Sequence, residues 1–267
     1  MRAVDFDKLF DEYVRAFLEK TKGKYTEEQL EDVQPKLFEK FSKLKIKNIG
    51  NLTPDEYYSS KSDSLLEILR IHVRDDVSVN DFLRNRIVSD VPSEVLIENL
   101  NEQFDSAYLM EIIKILNLKN EKKAFNRYID LLFSKNLDED AENLIIEILS
   151  ENADEVYGRV LESAGADTDS MVAEIVSSVK VPKAEIGQFL KNALGSHRDK
   201  IPEYLSYIVK YGDDGMVDQL YKLIDSEEIS YVDYKELKIA IEALGVEYTG
   251  NRDFSSDKNY KILKGEE

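Results

Sequence analysis

Two histidines and fifty-four carboxylates hold most of the acid–base and metal-binding capacity of this chain, which has no Cys. His72 lies between Ile71 and Val73, and His197 stands in Ser196-His197-Arg198. Two histidines make a metal site or a catalytic base when a few positions separate them on one helix face. These two are far apart, and a lone histidine is usually structural or solvated. The carboxylates cluster at Asp138-Glu139-Asp140 and at Asp213-Asp214. Both clusters fall at expected helix starts, where acids complement the helix dipole. Without Cys there is no thiolate nucleophile or thiolate metal site. The chain contains no glycine-rich phosphate loop and no Gly-x-Ser-x-Gly elbow. So many acids always offer pairs for acid–base work, and nothing selects one pair. No catalytic residue and no cofactor is expected.

One segment has ligand-like spacing. In residues 225–236, Asp225, Glu227, Asp233 and Glu236 alternate with other residues, with Val232 apolar among them. The segment resembles a twelve-residue EF-hand loop, and the resemblance implies calcium bound by those four carboxylates. Ile229 stands where an oxygen ligand belongs, and Ser230 where the sharp turn needs glycine. The simpler reading makes the segment two helices with Ser230 as N-cap.

Tyrosine is the other conspicuous side chain. Eight of the 15 tyrosines lie between Tyr204 and Tyr260. Tyr204, Tyr207 and Tyr211 recur at i, i+3, i+7 beside an apolar stripe of Ile201, Leu205, Ile208 and Val209. Tyr231 and Tyr234 open the corresponding helix about thirty residues later. Tyrosine brings a large contact area and a polar tip to an interface. Tyr207, Tyr211, Tyr231 and Tyr234 are therefore the expected binding residues, with burial at a seam between repeats as the competing reading.

The elements that must carry these groups are helical. Phe6, Leu9, Phe10, Tyr13 and Phe17 predict an amphipathic helix over residues 4–21. Thr26 with Gln29 forms a capping-box pattern, and Pro35 is expected to break or kink the helix that follows. Thr53-Pro54 is a second start signal. A buried helix follows at 65–73, and Ser78 is expected to cap the next. From residue 91 helix starts recur near Pro92, Glu121, Asp154, Pro182 and Gly215, interleaved with starts near Asp105, Asp138, Asp167, Asp199 and Ser230. Each series repeats at about 31 residues. Gly245 closes the pattern, and residues 246–267 are expected to be an extended or disordered tail able to pack back or dock elsewhere.

The units 93–117, 122–150, 155–179, 183–210 and 216–244 resemble short HEAT or armadillo repeats in period and pattern. The resemblance implies an all-α fold, a right-handed α-solenoid of helical pairs over residues 91–245. A less regular helical region over residues 1–90 precedes it.

Charge narrows the function. The net charge is −18. Residues 1–91 carry 16 basic and 18 acidic side chains, residues 92–267 carry 20 and 36, and the run 138–174 holds 12 acids against Arg159 alone. Such a surface repels nucleic acid and anionic membranes. Lys36, Lys40, Lys43, Lys45 and Lys47 are a local basic exception. No apolar stretch is long enough to span a bilayer, and the first residues lack a signal-peptide core, so a cytoplasmic protein is expected. The expected function is a non-enzymatic scaffold that binds a basic protein or peptide through an acidic, tyrosine-bearing face. The alternatives are a helical enzyme acting through carboxylates and a calcium-responsive module at 225–236.

Overall fold

The computed structural model describes residues 2–21, 24–101, 105–134, 136–226 and 229–265. Among them the secondary structure is helical, sixteen α-helices with short 3-10 turns and one isolated bridge between Ile46 and Leu52. No helix among the described residues is long and apolar enough to cross a membrane. The chain divides into two compact units, residues 1–127 with 136–141, and residues 128–135 with 142–267.

In the first unit, α1 (Phe6–Lys20) pairs with α2 (Glu27–Ser42). Thr26 and Gln29 cap α2 reciprocally. The helix continues through Pro35 to Ser42, so the expected break is absent. Phe6 is buried against the rings of Tyr57, Tyr58 and Phe82. Then come α3 (Pro54–Ser59), α4 (Leu65–Arg74), α5 (Asp81–Asp90), α6 (Ser93–Glu98) and α7 (Ser106–Leu118). α3 packs on α5, α5 on α7, and α6 on α7. The N-cap of α5 is Asn80, whose side chain accepts from the Leu83 N–H, and not Ser78 as expected. The Ser78 carbonyl is instead engaged by His72.

The second unit takes most of α8 (Phe125–Phe133) and α9 (Glu139–Glu151), then α10 (Ala153–Glu162), α11 (Asp169–Val176) and α12 (Ala184–Ser196). After these come α13 (Ile201–Tyr211), α14 (Val217–Ile224), α15 (Tyr231–Ala243) and α16 (Lys258–Lys264). α10 packs on α11, α12 on α13, and α14 on α15. The second members also lie side by side, α11 on α13 and α13 on α15, and α16 packs on α15. Expected starts coincide with caps at Asp105, Asp138 and Ser230, whose side chains accept from N–H groups of the first turn. Gly212 (φ +71°) and Gly245 (φ +86°) end α13 and α15 in the left-handed region that favours glycine.

Residues 246–267, expected as an extended or disordered tail, bury Tyr248 and Phe254 and carry α16. The ring of Tyr248 crosses so closely over Gly250 that a Cβ there would have no room.

Several side-chain ties join residues 26 to 31 positions apart. In the first unit Arg86 bonds Asp55, Arg70 bonds Asn99 and Arg84 bonds Glu111, 31, 29 and 27 positions apart. In the second, Arg159 bonds Asp130, Gln219 bonds the Lys191 carbonyl and the Tyr231 N–H bonds Asp257, 29, 28 and 26 apart. Several ties cap helix ends. Lys119 reaches the carbonyls of Val88 and Val91, Arg127 that of Leu100, and Arg252 that of Ser226. A cation suits Val88 and Val91 because the last carbonyls of a helix carry partial negative charge, whereas Leu100 and Ser226 lie two residues past α6 and α14. The ties begin at Asp55 and reach Asp257, beyond both ends of 91–245.

Candidate functional site

The four expected tyrosines separate into different environments. Tyr211 is 5% exposed and Tyr234 9%. The Tyr211 hydroxyl accepts from the Lys183 N–H and donates to the Lys183 carbonyl at 3.0 Å, and burial pushes its pKa up. Tyr234 donates to the Gly250 carbonyl at 2.9 Å and packs on Tyr248 and Phe254. Tyr231 is half-buried against Phe254 and Tyr260. Tyr211 is therefore a tie between helical pairs, while Tyr231 and Tyr234 hold the chain's own last segment. The four do not form one open face. Tyr207, like Tyr231, is half-buried; its hydroxyl donates to Glu203 at 3.3 Å, and burial raises its pKa while the hydrogen bond with Ser170 works against that.

In the segment 225–236, expected as a calcium loop, the second half is helical. Residues 231–236 are the first turns of α15, not a loop. Asp225 ends α14 and accepts from the Tyr248 hydroxyl, and Asp233 accepts from Ser230 at 2.6 Å. Glu236 lies a turn further into α15, and Glu227 lies outside the described residues. Among the described residues no group of three metal-ligating side chains comes together.

The two histidines stand in different surroundings. His72 is fully buried. Its Nδ1–H donates to the Ser78 carbonyl at 2.9 Å, since a carbonyl can only accept, and its Nε2 faces the Tyr58 hydroxyl at 3.5 Å. Asn80 donates to that hydroxyl at 3.0 Å, closing a buried polar network. His197 Nε2 meets Asp169 at 3.3 Å and its ring stacks on Tyr204. Ser170, beside Asp169, bonds Glu203 instead of the imidazole, so Ser, His and Asp are near one another without a nucleophile–base contact.

Two concavities stand out. The first, about 450 Å³ in the first unit, is lined by Arg70, Val73, Arg74, Asp105 and Tyr108. Its polar groups are engaged with one another. Arg70 and Tyr108 both donate to Asn99, Arg70 stacks over the Tyr108 ring, and Arg74 pairs with Asp75. The second is an open groove of about 510 Å³ over α9, α11 and α13, lined by Asn143, Ile146, Glu147, Ser150, Glu151, Glu174, Ser178 and Lys210. Ser170 bonds Glu203, and Lys210 reaches the Glu174 carbonyl at 3.4 Å. Starts meet starts and ends meet ends, so α11 and α13 run the same way. Glu147 and Glu151, four positions apart, share one face of α9. The Ser150 hydroxyl is buried without a hydrogen-bond partner among the described residues.

Buried positions recur from helix to helix, and one register that relates them is the following. Ile145, Ile146, Ile148 and Leu149 of α9 repeat 27 positions on as Val172, Ala173, Ile175 and Val176. Val172, Ala173, Val176 and Val179 repeat 32 on as Tyr204, Leu205, Ile208 and Tyr211. Leu205, Ile208 and Tyr211 repeat 29 on as Tyr234, Leu237 and Ala240. The outward pair Glu147 and Glu151 thus corresponds to Glu174 and Ser178, then to Ser206 and Lys210, then to Lys235 and Ile239. Glu203 corresponds to Val232. Sequence reasoning located the acidic run but not the groove, whose signal is this outward set at each period. Comparison of the chain with protein-family models, with curated proteins and with solved structures found no match.

Proposed function

We propose that this chain is a non-enzymatic helical-repeat scaffold and that the groove over α9, α11 and α13 receives a basic segment of a partner protein. On this reading the helical pairs form a right-handed solenoid of short HEAT-like units, with the second helix of each pair on the binding side. The observation that carries the reading is the lining of the groove: three glutamates and one lysine, in the most acidic run of the chain. A Lys- or Arg-rich segment gains from that field on approach. Its aliphatic stems can lie over Ile146 while its charged heads reach Glu147, Glu151 and Glu174. Tyr207 remains the one tyrosine of the expected four positioned to contribute from the neighbouring stretch of α13.

The test is fluorescence polarisation of a labelled oligolysine peptide of about ten residues at low salt, where unscreened attraction is strongest. The wild-type chain should bind it, and exchanging Glu147 and Glu151 for Lys should weaken binding by on the order of tenfold or more. Both side chains are exposed, so the variant should keep its melting temperature. A folded variant that binds like the parent rejects the groove.

A further inference from the structure

The groove over α9, α11 and α13 holds charges of both signs. Glu147, Glu151 and Glu174 line it together with Lys210. Among the described residues none of these four forms a salt bridge. The Lys210 ammonium donates to the Glu174 backbone carbonyl at 3.4 Å. It stands in the last turn of α13, where a cation suits the partial negative charge of the helix end. That accounts for its sign and leaves the side chain exposed on the α13 side of the groove. The acids nearest to it on its own element are occupied or unpaired. Glu203, two turns back, bonds Ser170 and Tyr207. Asp213 accepts from the Gly215 N–H, and Asp214 pairs with no cation among the described residues. A ligand cation is therefore drawn to the α9 and α11 side of the groove and repelled at Lys210.

We infer that Lys210 sets the charge pattern of the partner segment, with basic residues over Glu147, Glu151 and Glu174 and an acidic residue opposite Lys210. The inference rests on the groove reading above and adds the one position at which the ligand is acidic. α11 packs on α13, and packed helices lie roughly 8–10 Å apart. Extended chain rises about 3.3 Å per residue, so the acidic residue falls about three positions from the one over Glu174. An exposed ion pair adds little affinity, so Lys210 acts chiefly by rejecting a cation at that place. The three carboxylates speed the encounter, and Lys210 fixes the register in which the segment lies. A uniformly basic segment is then not the best ligand, because one of its charges must face the ammonium.

Three synthetic peptides share one lysine cluster and differ at a single position about three residues away, which holds Glu, Gln or Lys. Each is made in both orders along the peptide. Polarisation is read with the full chain at physiological ionic strength, where a Debye length of about 8 Å mutes the charge of distant surfaces. In one order the wild type should bind the Glu peptide tightest and the Lys peptide weakest. The ratio of the Lys-peptide to the Glu-peptide dissociation constant should fall about threefold in Lys210→Gln and about tenfold in Lys210→Glu. Comparing ratios cancels each peptide's own attraction to the chain. Lys210 is exposed, so both variants should melt with the parent. Lys222→Glu, on an exposed lysine outside the groove, makes the same change in net charge as Lys210→Glu and should leave the ratio near the parent's. If the lysine cluster binds in a Glu147- and Glu151-dependent way but neither Lys210 variant moves the ratio, the groove stands and this inference falls. It falls equally if Lys222→Glu moves the ratio as far, or if the Glu peptide binds no tighter than the Gln peptide in either order. If no lysine-bearing peptide binds, both readings fall.

Discussion

Tyr211 carries two backbone hydrogen bonds and a buried ring at the junction of α12 and α13, and its substitutions should separate those roles. Tyr211→Phe removes the hydroxyl that serves both the N–H and the carbonyl of Lys183, and should cost about 1–2 kcal/mol. Tyr211→Ala also opens a cavity and should cost about 3–5 kcal/mol. Neither should change peptide binding, which chemical denaturation and polarisation can establish together. Ile145 has no exposed surface, and Ile145→Asp should cost about 3–5 kcal/mol because it buries a charge without a partner. A variant that unfolds at the parent's denaturant midpoint would refute that. Ile145 and Ile148 follow helical spacing and are buried, Leu144 beside them is only half-buried, and the tyrosine stripe was not legible. A helix of the second series has its pair partner on one side and a stacked helix on each flank, so α13 buries far more than a single stripe. Tyr204 and Tyr211 fall inside that wider arc while Tyr207 falls at its edge, and an i, i+3, i+7 pattern does not distinguish them.

Element boundaries were readable wherever one side chain could satisfy an orphan N–H, as at Thr26, Thr53, Asp105 and Ser230. Ser78 and Asn80 were both competent caps two residues apart. The buried imidazole of His72 engages the Ser78 carbonyl six positions on, a contact that cap patterns alone do not reveal. The last segment was misjudged because its apolar residues are too sparse for periodicity. Tyr248 and Phe254 pack singly against α15, not as a stripe. Tyr248 makes that docking titratable. Burial, then its bond to Asp225, pushes the hydroxyl up to about 12, above the unfolded value of about 10. Its contribution to stability is therefore complete below pH about 10 and is lost as pH rises toward 12. Melting temperature followed across that window should fall in the wild type and fall less in Tyr248→Phe. Calcium offers a control on the same region. Millimolar Ca²⁺ should leave the melting curve unmoved, and a clear upward shift would revive ligation near Asp225 and Asp233.

At the scale of the whole molecule, a net charge of −18 has two consequences of opposite sign. Added salt screens self-repulsion, so the melting temperature should rise between low and physiological ionic strength. The same salt should slow association with a basic peptide far more than it speeds dissociation. A joint titration that moves both observables the same way would show that the charge distribution plays neither part. All-helical character was legible throughout, because one periodicity runs through almost every segment. The reach of the side-chain ties was less so, since Arg86–Asp55 and Tyr231–Asp257 lie past both ends of the spacing read from the sequence. Those ties have a kinetic corollary. They span 26 to 31 positions each in a chain of 267. Loop closure over so short a distance costs little entropy, and low contact order gives fast folding. Formation should begin at any well-packed pair and spread to its neighbours, and opening should begin at the ends of such a run. Native-state hydrogen exchange should then be graded along the second unit, quickest in α16, slower in α15 and slowest in α11 and α13, where both flanks are covered.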